Sequence, residues 1–216
     1  MYLATSTRPD ITFHVSCLSS QLRCPSKSAW QGVKYLLSYL NTTRDRGIKY
    51  MASQSINQIE VYCDADYAND KTSRRSRTGY VTLLNNGAVS WRSHLQQRVS
   101  LSSTEAEYYA ASEGCMEAAW FRQFLSEIGR PQSRVNLFED NQSTICLANN
   151  PVADFKTKHI EIRHHYMREC VAYGELVMVK IHTNEQIADL LTKNLPSVSF
   201  HHLSNKFMTT NVVKPR

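Results

Sequence analysis

The chain has 216 residues, 42% of them apolar, with 25 Lys and Arg against 19 Asp and Glu for a formal charge of +6. That length suits one moderate domain, or one domain with an appendage, and the positive balance suits a polyanionic partner, although a mildly basic protein without one carries the same charge. No stretch approaches the ~20 apolar residues of a membrane span, residues 1–10 hold no signal-peptide core, and the six cysteines lack Cys-x-x-Cys or zinc-finger spacing, so they read as free thiols of a reducing, intracellular compartment.

Residues 1–50 read as helical. Pro9 suits a first helical position, and Ile11, Val15 and Leu18 recur at helical spacing. Pro25 opens a second helix with Trp30, Val33, Leu36, Leu37 and Leu40 on one face. Gly47 closes the region, and 47–51 leads out as a short strand. The polar run 54–58 marks a boundary, so residues 1–53 form a first unit.

Beyond it the period changes. Strands are expected over 59–64, 79–84 and 88–94, with a charged loop over 69–77. The last two strands meet at Asn85-Asn86-Gly87, a strong hairpin signal. A long helix follows over 103–128. Ser102-x-x-Glu105 and Thr104-x-x-Glu107 both offer capping boxes at its start, and Gly129 and Pro131 stop it. Then come a strand over 135–140, helices over 141–150 and 158–173, a strand over 175–182 and a helix over 185–192. Residues 196–216 read as a tail that opens with one more helix. Residues 59–195 thus run β-β-β-α-β-α-α-β-α. The first three strands form a meander, and the later ones are added in parallel through helical crossovers. The fold class is α/β, a five-stranded mixed sheet flanked by helices, with an N-terminal helical appendage.

Four carboxylates stand out on this frame. Asp64 and Asp140 end strands, while Glu107 and Asp189 sit on helical segments. In such sheets the active groups gather at the carboxyl ends of adjacent parallel strands, so Asp64 and Asp140 face each other if their strands are neighbours. Acids converging from distant segments are costly unless a cation neutralises them, and Mg²⁺ is held by a few carboxylates together with substrate phosphate. Two such ions can clamp the attacking and leaving oxygens of a phosphodiester. Each acid alone has an ordinary reading: a turn acid for Asp64, a helix-dipole carboxylate for Glu107, a helix cap for Asp140, an exposed amphipathic face for Asp189.

Seven stretches carry a resemblance. They are Tyr-Cys-Asp-Ala-Asp-Tyr-Ala at 62–68, Thr-Gly-Tyr-Val at 78–81, Ala-Val-Ser-Trp at 88–91, Leu-Ser-Ser-Thr-Glu-Ala-Glu-Tyr at 101–108, Glu-Asp-Asn-Gln at 139–142, Lys-His-Ile-Glu-Ile at 158–162 and Gln-Ile-Ala-Asp-Leu-Leu-Thr-Lys at 186–193. Together they resemble the ribonuclease H domain that ends the Pol polyproteins of Copia-type LTR retrotransposons. Thr-Arg-Pro-Asp-Ile at 7–11 and the run 30–40 are similar to the region joining reverse transcriptase to that domain. The polymerase motif Tyr-x-Asp-Asp is absent, so the chain reads as a fragment or truncated copy of Pol.

The resemblance implies a ribonuclease H-like fold over 59–195 and a metal-dependent endonuclease that cleaves the RNA strand of RNA–DNA hybrids. It implies that Asp64, Glu107, Asp140 and Asp189 are the metal-binding, catalytic acids for two Mg²⁺ ions, with Mn²⁺ as a substitute. Glu107 is preferred to Glu105, which fits as a cap, and Asp64 to Asp66. Partners would be the hybrid and the parent reverse transcriptase domain, in the cytoplasm or a transposon particle. Arg74, Arg75 and Arg77 are candidates to track a phosphate backbone, and Ser103, Asn141 and Gln142 to read 2′-hydroxyls. His182 is an auxiliary candidate by analogy with a product-releasing loop histidine, although its spacing departs from that pattern. His159, His164 and His165 are spaced poorly for a single ligand face. Trp91 and Trp120 read as core. The rival reading is a catalytically inactive transposon relic or a nucleic-acid-binding module.

Overall fold

The computed structural model describes residues 1–51, 58–150 and 158–210, and for 158–164 the backbone only. The polar run expected to mark the boundary lies outside the described residues as far as 57, as do the side chains of His159 and His164.

The central sheet has five strands: β2 (Ile59–Asp66), β3 (Arg77–Leu84), β4 (Gly87–Leu95), β5 (Val135–Glu139) and β6 (Leu176–Lys180). Their order is β4-β3-β2-β5-β6. The β2–β3 and β3–β4 pairs are antiparallel, and β2–β5 and β5–β6 are parallel. This is the mixed sheet that the ribonuclease H-like reading requires. Asn85 and Asn86 form the two-residue hairpin loop, with φ of 52° and 61°. Two successive left-handed residues match the twist of the flanking strands, and asparagine is among the residues that tolerate this conformation.

The alternation of β3 separates two cores. Tyr80 faces α4 (Ser103–Glu127) and joins Ile59, Val61, Cys63, Ala110, Cys115 and Leu137. Val81 and Leu83 face the other way, against Ile187, Leu190, Leu191 and Phe207. Helix α4 lies close to the sheet because its inner face is small. A Cβ on Gly114 would meet Val61 and Leu137 side-chain carbons at 3.2 and 3.3 Å. Trp120, expected in the core, is instead 56% exposed and stacks on Phe124 at 5.3 Å. The helix turns about 100° per residue, so the inward aromatic is its neighbour Phe121, which is buried.

Two further helices, α5 (Gln142–Asn149) and α6 (Lys158–Ala172), follow β5. The segment expected as a helix over 185–192 forms two short 3₁₀ turns, Thr183–Glu185 and Ile187–Leu191. Gln186 separates them with an extended ψ of 98°. Its buried amide donates to Cys63 O at 2.9 Å, and its Oε1 accepts from Ala188 N at 3.3 Å. This side chain draws its backbone towards β2 and breaks the helix.

The N-terminal region contains α1 (Tyr2–Ser6), α2 (Thr12–Ser20) and α3 (Lys27–Thr42). Arg8 grips Asp10 at 2.9 and 2.8 Å, and Tyr39 Oη donates to Asp10 Oδ2 at 2.6 Å. Trp91 Nε1 donates to Ala4 O at 2.6 Å, tying this region to β4. The strand β1 (Gly47–Ile48) pairs antiparallel with β7 (Met208–Thr209), which follows α7 (Ser197–Ser204). On α3 Ala29 is the one buried residue, and Trp30 and Leu37 of its expected apolar face are exposed. Among the described residues no helix is long and apolar enough to cross a membrane.

Candidate metal and catalytic centre

Strand register brings the acids together. Tyr62 and Phe138 are partners across the parallel β2–β5 pair, and their rings stack at 4.5 Å. Asp64 and Asp140 each lie two residues further on, one at the rim of β2 and the other just beyond β5. Glu107 comes in from the start of α4. One carboxylate oxygen from each of Asp64, Glu107 and Asp140 lies within 4.8 Å of the others.

Asp189 reaches the same rim from the 3₁₀ turn, and Gly79 makes this approach feasible. Gly79 is the β3 partner of Asp64. A Cβ there would lie 2.7 Å from both Leu191 Cβ and Thr192 Cγ2, and 3.2 Å from Ala188 O. Only a residue without a side chain lets the turn settle on the sheet so closely.

Each acid has its own protein contacts. Asp64 is fully buried and accepts from Thr192 Oγ1, with Lys193 Nζ 3.1 Å from its Oδ1. Lys193 Nζ also lies 2.9 Å from Asp189 Oδ1. Glu107 Oε2 accepts from Ala65 N at 2.7 Å. Asp140 Oδ2 accepts from Thr183 Oγ1 at 2.8 Å, and its backbone oxygen accepts from Lys180 Nζ.

The crowding shows in the proton affinities. Burial, then the charges of Asp64, Glu139 and Asp140, pushes Glu107 up to about 11. Burial, then Asp64, pushes Asp189 up to about 7. Asp64 is raised by burial, against which Lys193 and Thr192 act. Lys193 is raised by the two carboxylates it bridges, in spite of its desolvation. The cluster, bridged by the Lys193 ammonium, therefore resists full ionisation, whereas hard oxygen donors at this spacing suit a divalent cation.

The neighbouring acids separate cleanly. Glu105 Oε2 accepts from Leu101 N at 2.6 Å while Ser102 Oγ accepts from Glu105 N at 3.1 Å, so Glu105 serves the helix start. Asp66 is bonded by Asn69. Asn141, not Asp140, caps α5, its Oδ1 accepting from Thr144 N at 3.1 Å.

The other expected site residues scatter. Ser103, Gln142, Arg74 and Arg75 are exposed. Arg77 does not lie on the charged loop. It opens β3, is 3% exposed, donates to Ser16 Oγ at 2.8 Å and lies over the Phe13 ring. Helix α2 covers it, which turns it away from any phosphate backbone. His182 is exposed and caps the Thr183–Glu185 turn, its Nδ1 accepting from Asn184 N at 3.2 Å.

Sequence reasoning missed Thr183, Thr192, Lys193 and Glu139. Glu139 is fully buried beneath the acids, accepting from Asn141 N at 3.0 Å, and burial raises it to about 8. Strand alternation was the available signal, since Glu139 and Asp140 must point to opposite faces.

No protein-family profile matches the chain. It is 42% identical over 200 residues to the retrovirus-related Pol polyprotein from transposon TNT 1-94 of Nicotiana tabacum, a match covering 93% of this chain and 15% of that protein. It is 45% identical over 120 residues to secreted RxLR effector protein 161 of Plasmopara viticola, covering 56% of this chain and 84% of that one. Among solved structures, RNase H1 of Halobacterium salinarum NRC-1 aligns with 62% of this chain and 94% of its own, at 19% identity and a TM-score of 0.43. The chain spans only about one seventh of the first of these relatives, 15% of its length.

Proposed function

The chain belongs to the retrovirus-related Pol polyproteins of transposons, and from that premise we propose that its acid cluster is the centre of a ribonuclease H. The reaction would be metal-dependent, endonucleolytic cleavage of the RNA strand of an RNA–DNA hybrid. The observation that carries this reading is the meeting of Asp64, Glu107 and Asp140 oxygens within 4.8 Å from three separate elements.

The donor set fits hard divalent ions, two Mg²⁺ or, in their place, Mn²⁺. Asp64 would be shared between the ions, with Glu107 and Asp140 on one and Asp189 on the other. Bound there, such ions lower the pKa of an attacking water and stabilise the leaving 3′ oxygen. The protein supplies the placement. Thr192 and Thr183 fix the carboxylates of Asp64 and Asp140, and the Ala65 N–H fixes Glu107. Buried Glu139, pushed up to about 8 by burial, lies directly below the site. Arg74 and Arg75 would meet phosphates, and Ser103, Asn141 and Gln142 would meet 2′-hydroxyls, which distinguish RNA from DNA. Residues 1–53 would connect to the reverse transcriptase domain of a longer polyprotein, acting in the cytoplasm or a transposon particle.

The test is cleavage of a labelled RNA–DNA hybrid with Mg²⁺, beside duplex RNA and duplex DNA. Hybrid-specific cleavage that disappears in Asp140→Asn is expected. A folded protein that binds the hybrid and leaves it intact would mean an inactive relic or a binding module.

A further inference from the structure

Lys193 occupies a position its sequence neighbours do not announce. Its Nζ stands 3.1 Å from Asp64 Oδ1 and 2.9 Å from Asp189 Oδ1. Asp64 has no exposure at all, and the Lys193 side chain retains 32%. The ammonium is thus the cationic bridge between a sealed carboxylate and a second acid four residues upstream of it.

A divalent ion shared by Asp64 and Asp189 would draw on the same two carboxylates. Mg²⁺ binds carboxylate oxygen at about 2.1 Å in a nearly ideal octahedron. An ammonium kept at hydrogen-bond distance from those oxygens would stand against a doubly charged neighbour, so the two compete for one place. Lysine is suited to yield it. Its charge rides on a flexible four-carbon stem, and its partial exposure opens a way out without movement of the backbone.

We propose that Lys193 is a displaceable internal counter-ion, which bridges Asp64 and Asp189 while metal is absent and is expelled when a divalent cation enters. This rests on the metal-site reading above. The lysine keeps the two acids in register before loading, and it sets a threshold of cation concentration that loading must exceed.

The test begins on the unaltered protein. Lysine ¹⁵Nζ resonances are recorded during a Mg²⁺ titration followed in parallel by calorimetry, with Lys193 assigned from its loss in Lys193→Arg. An ion-paired ammonium protected from exchange is expected without metal, moving to the position of a free lysine with the same midpoint as the calorimetric binding. Lys193→Met should bind Mg²⁺ about tenfold more tightly at low salt, while Lys193→Arg should bind no more tightly than the original. A Lys193 resonance unmoved while Mg²⁺ binds in an Asp64-dependent manner would overturn the displacement and leave the metal site standing. No binding of Mg²⁺ or Mn²⁺ at all would overturn both.

Discussion

Two buried aspartates show how differently one residue type is used in this chain. Asp10, 1% exposed, is gripped by Arg8 through both oxygens and receives a third bond from Tyr39. Its two oxygens accept three hydrogen bonds there, and the cluster ties the 3₁₀ turn Pro9–Ile11 to α3. Asp64, equally buried, faces Glu107, Asp140 and Asp189 and has half a share of one lysine. A region whose charges are balanced within the protein holds the fold together. A region whose acids crowd together with shifted proton affinities is of the kind found at functional sites.

The contrast is sharpened most by Asp64→Asn. Cleavage of the hybrid should fall by on the order of 10³-fold or more, as for other groups acting directly on reacting charge. Thermal stability of the metal-free protein should hold or rise, because one of several like charges is removed. A melting scan showing strong destabilisation would make Asp64 a structural residue like Asp10. Arg8→Ala should do the reverse. It leaves Asp10 buried without its cation, at a cost of about 3–5 kcal/mol read by denaturant unfolding. Normal stability in that variant would break the comparison from the other side.

Gly79→Ala probes the joint between β3 and the Asp189 turn. Its Cβ meets Leu191 and Thr192 carbons at 2.7 Å, so overpacking of about 1–3 kcal/mol is expected, with a loss of cleavage in the folded fraction as the turn lifts. Cleavage equal to the parent's would show that the turn's seating does not matter. Thr183→Val is the mildest change. It removes the 2.8 Å bond to Asp140 and should cost about 1 kcal/mol, seen as a several-fold weaker Mg²⁺ affinity in calorimetry. An unchanged affinity would show that Asp140 needs no such support.

The parts of this picture that sequence makes legible are those set by neighbours in the chain. Short apolar runs placed the strands, the asparagine pair placed the hairpin, and the spacing from Ser102 marked Glu105 as a capping acid, as the spacing from Thr104 did Glu107. The acids themselves stood in short local motifs. What stayed hidden depends on distant contact. Lys193 and Thr192 reach Asp64 across about 130 positions only because Gly79 lets the turn sit down. Gln186 breaks the expected helix by bonding to a strand 123 positions away. Arg77 looked like loop charge until α2 covered it.

The most direct measurement is anomalous diffraction from a crystal soaked in Mn²⁺. A manganese peak between the carboxylates of Asp64, Glu107 and Asp140 is predicted. Bound manganese elsewhere, with those acids still held only by Lys193 and their protein donors, would contradict the central claim that this unbalanced cluster is a metal centre.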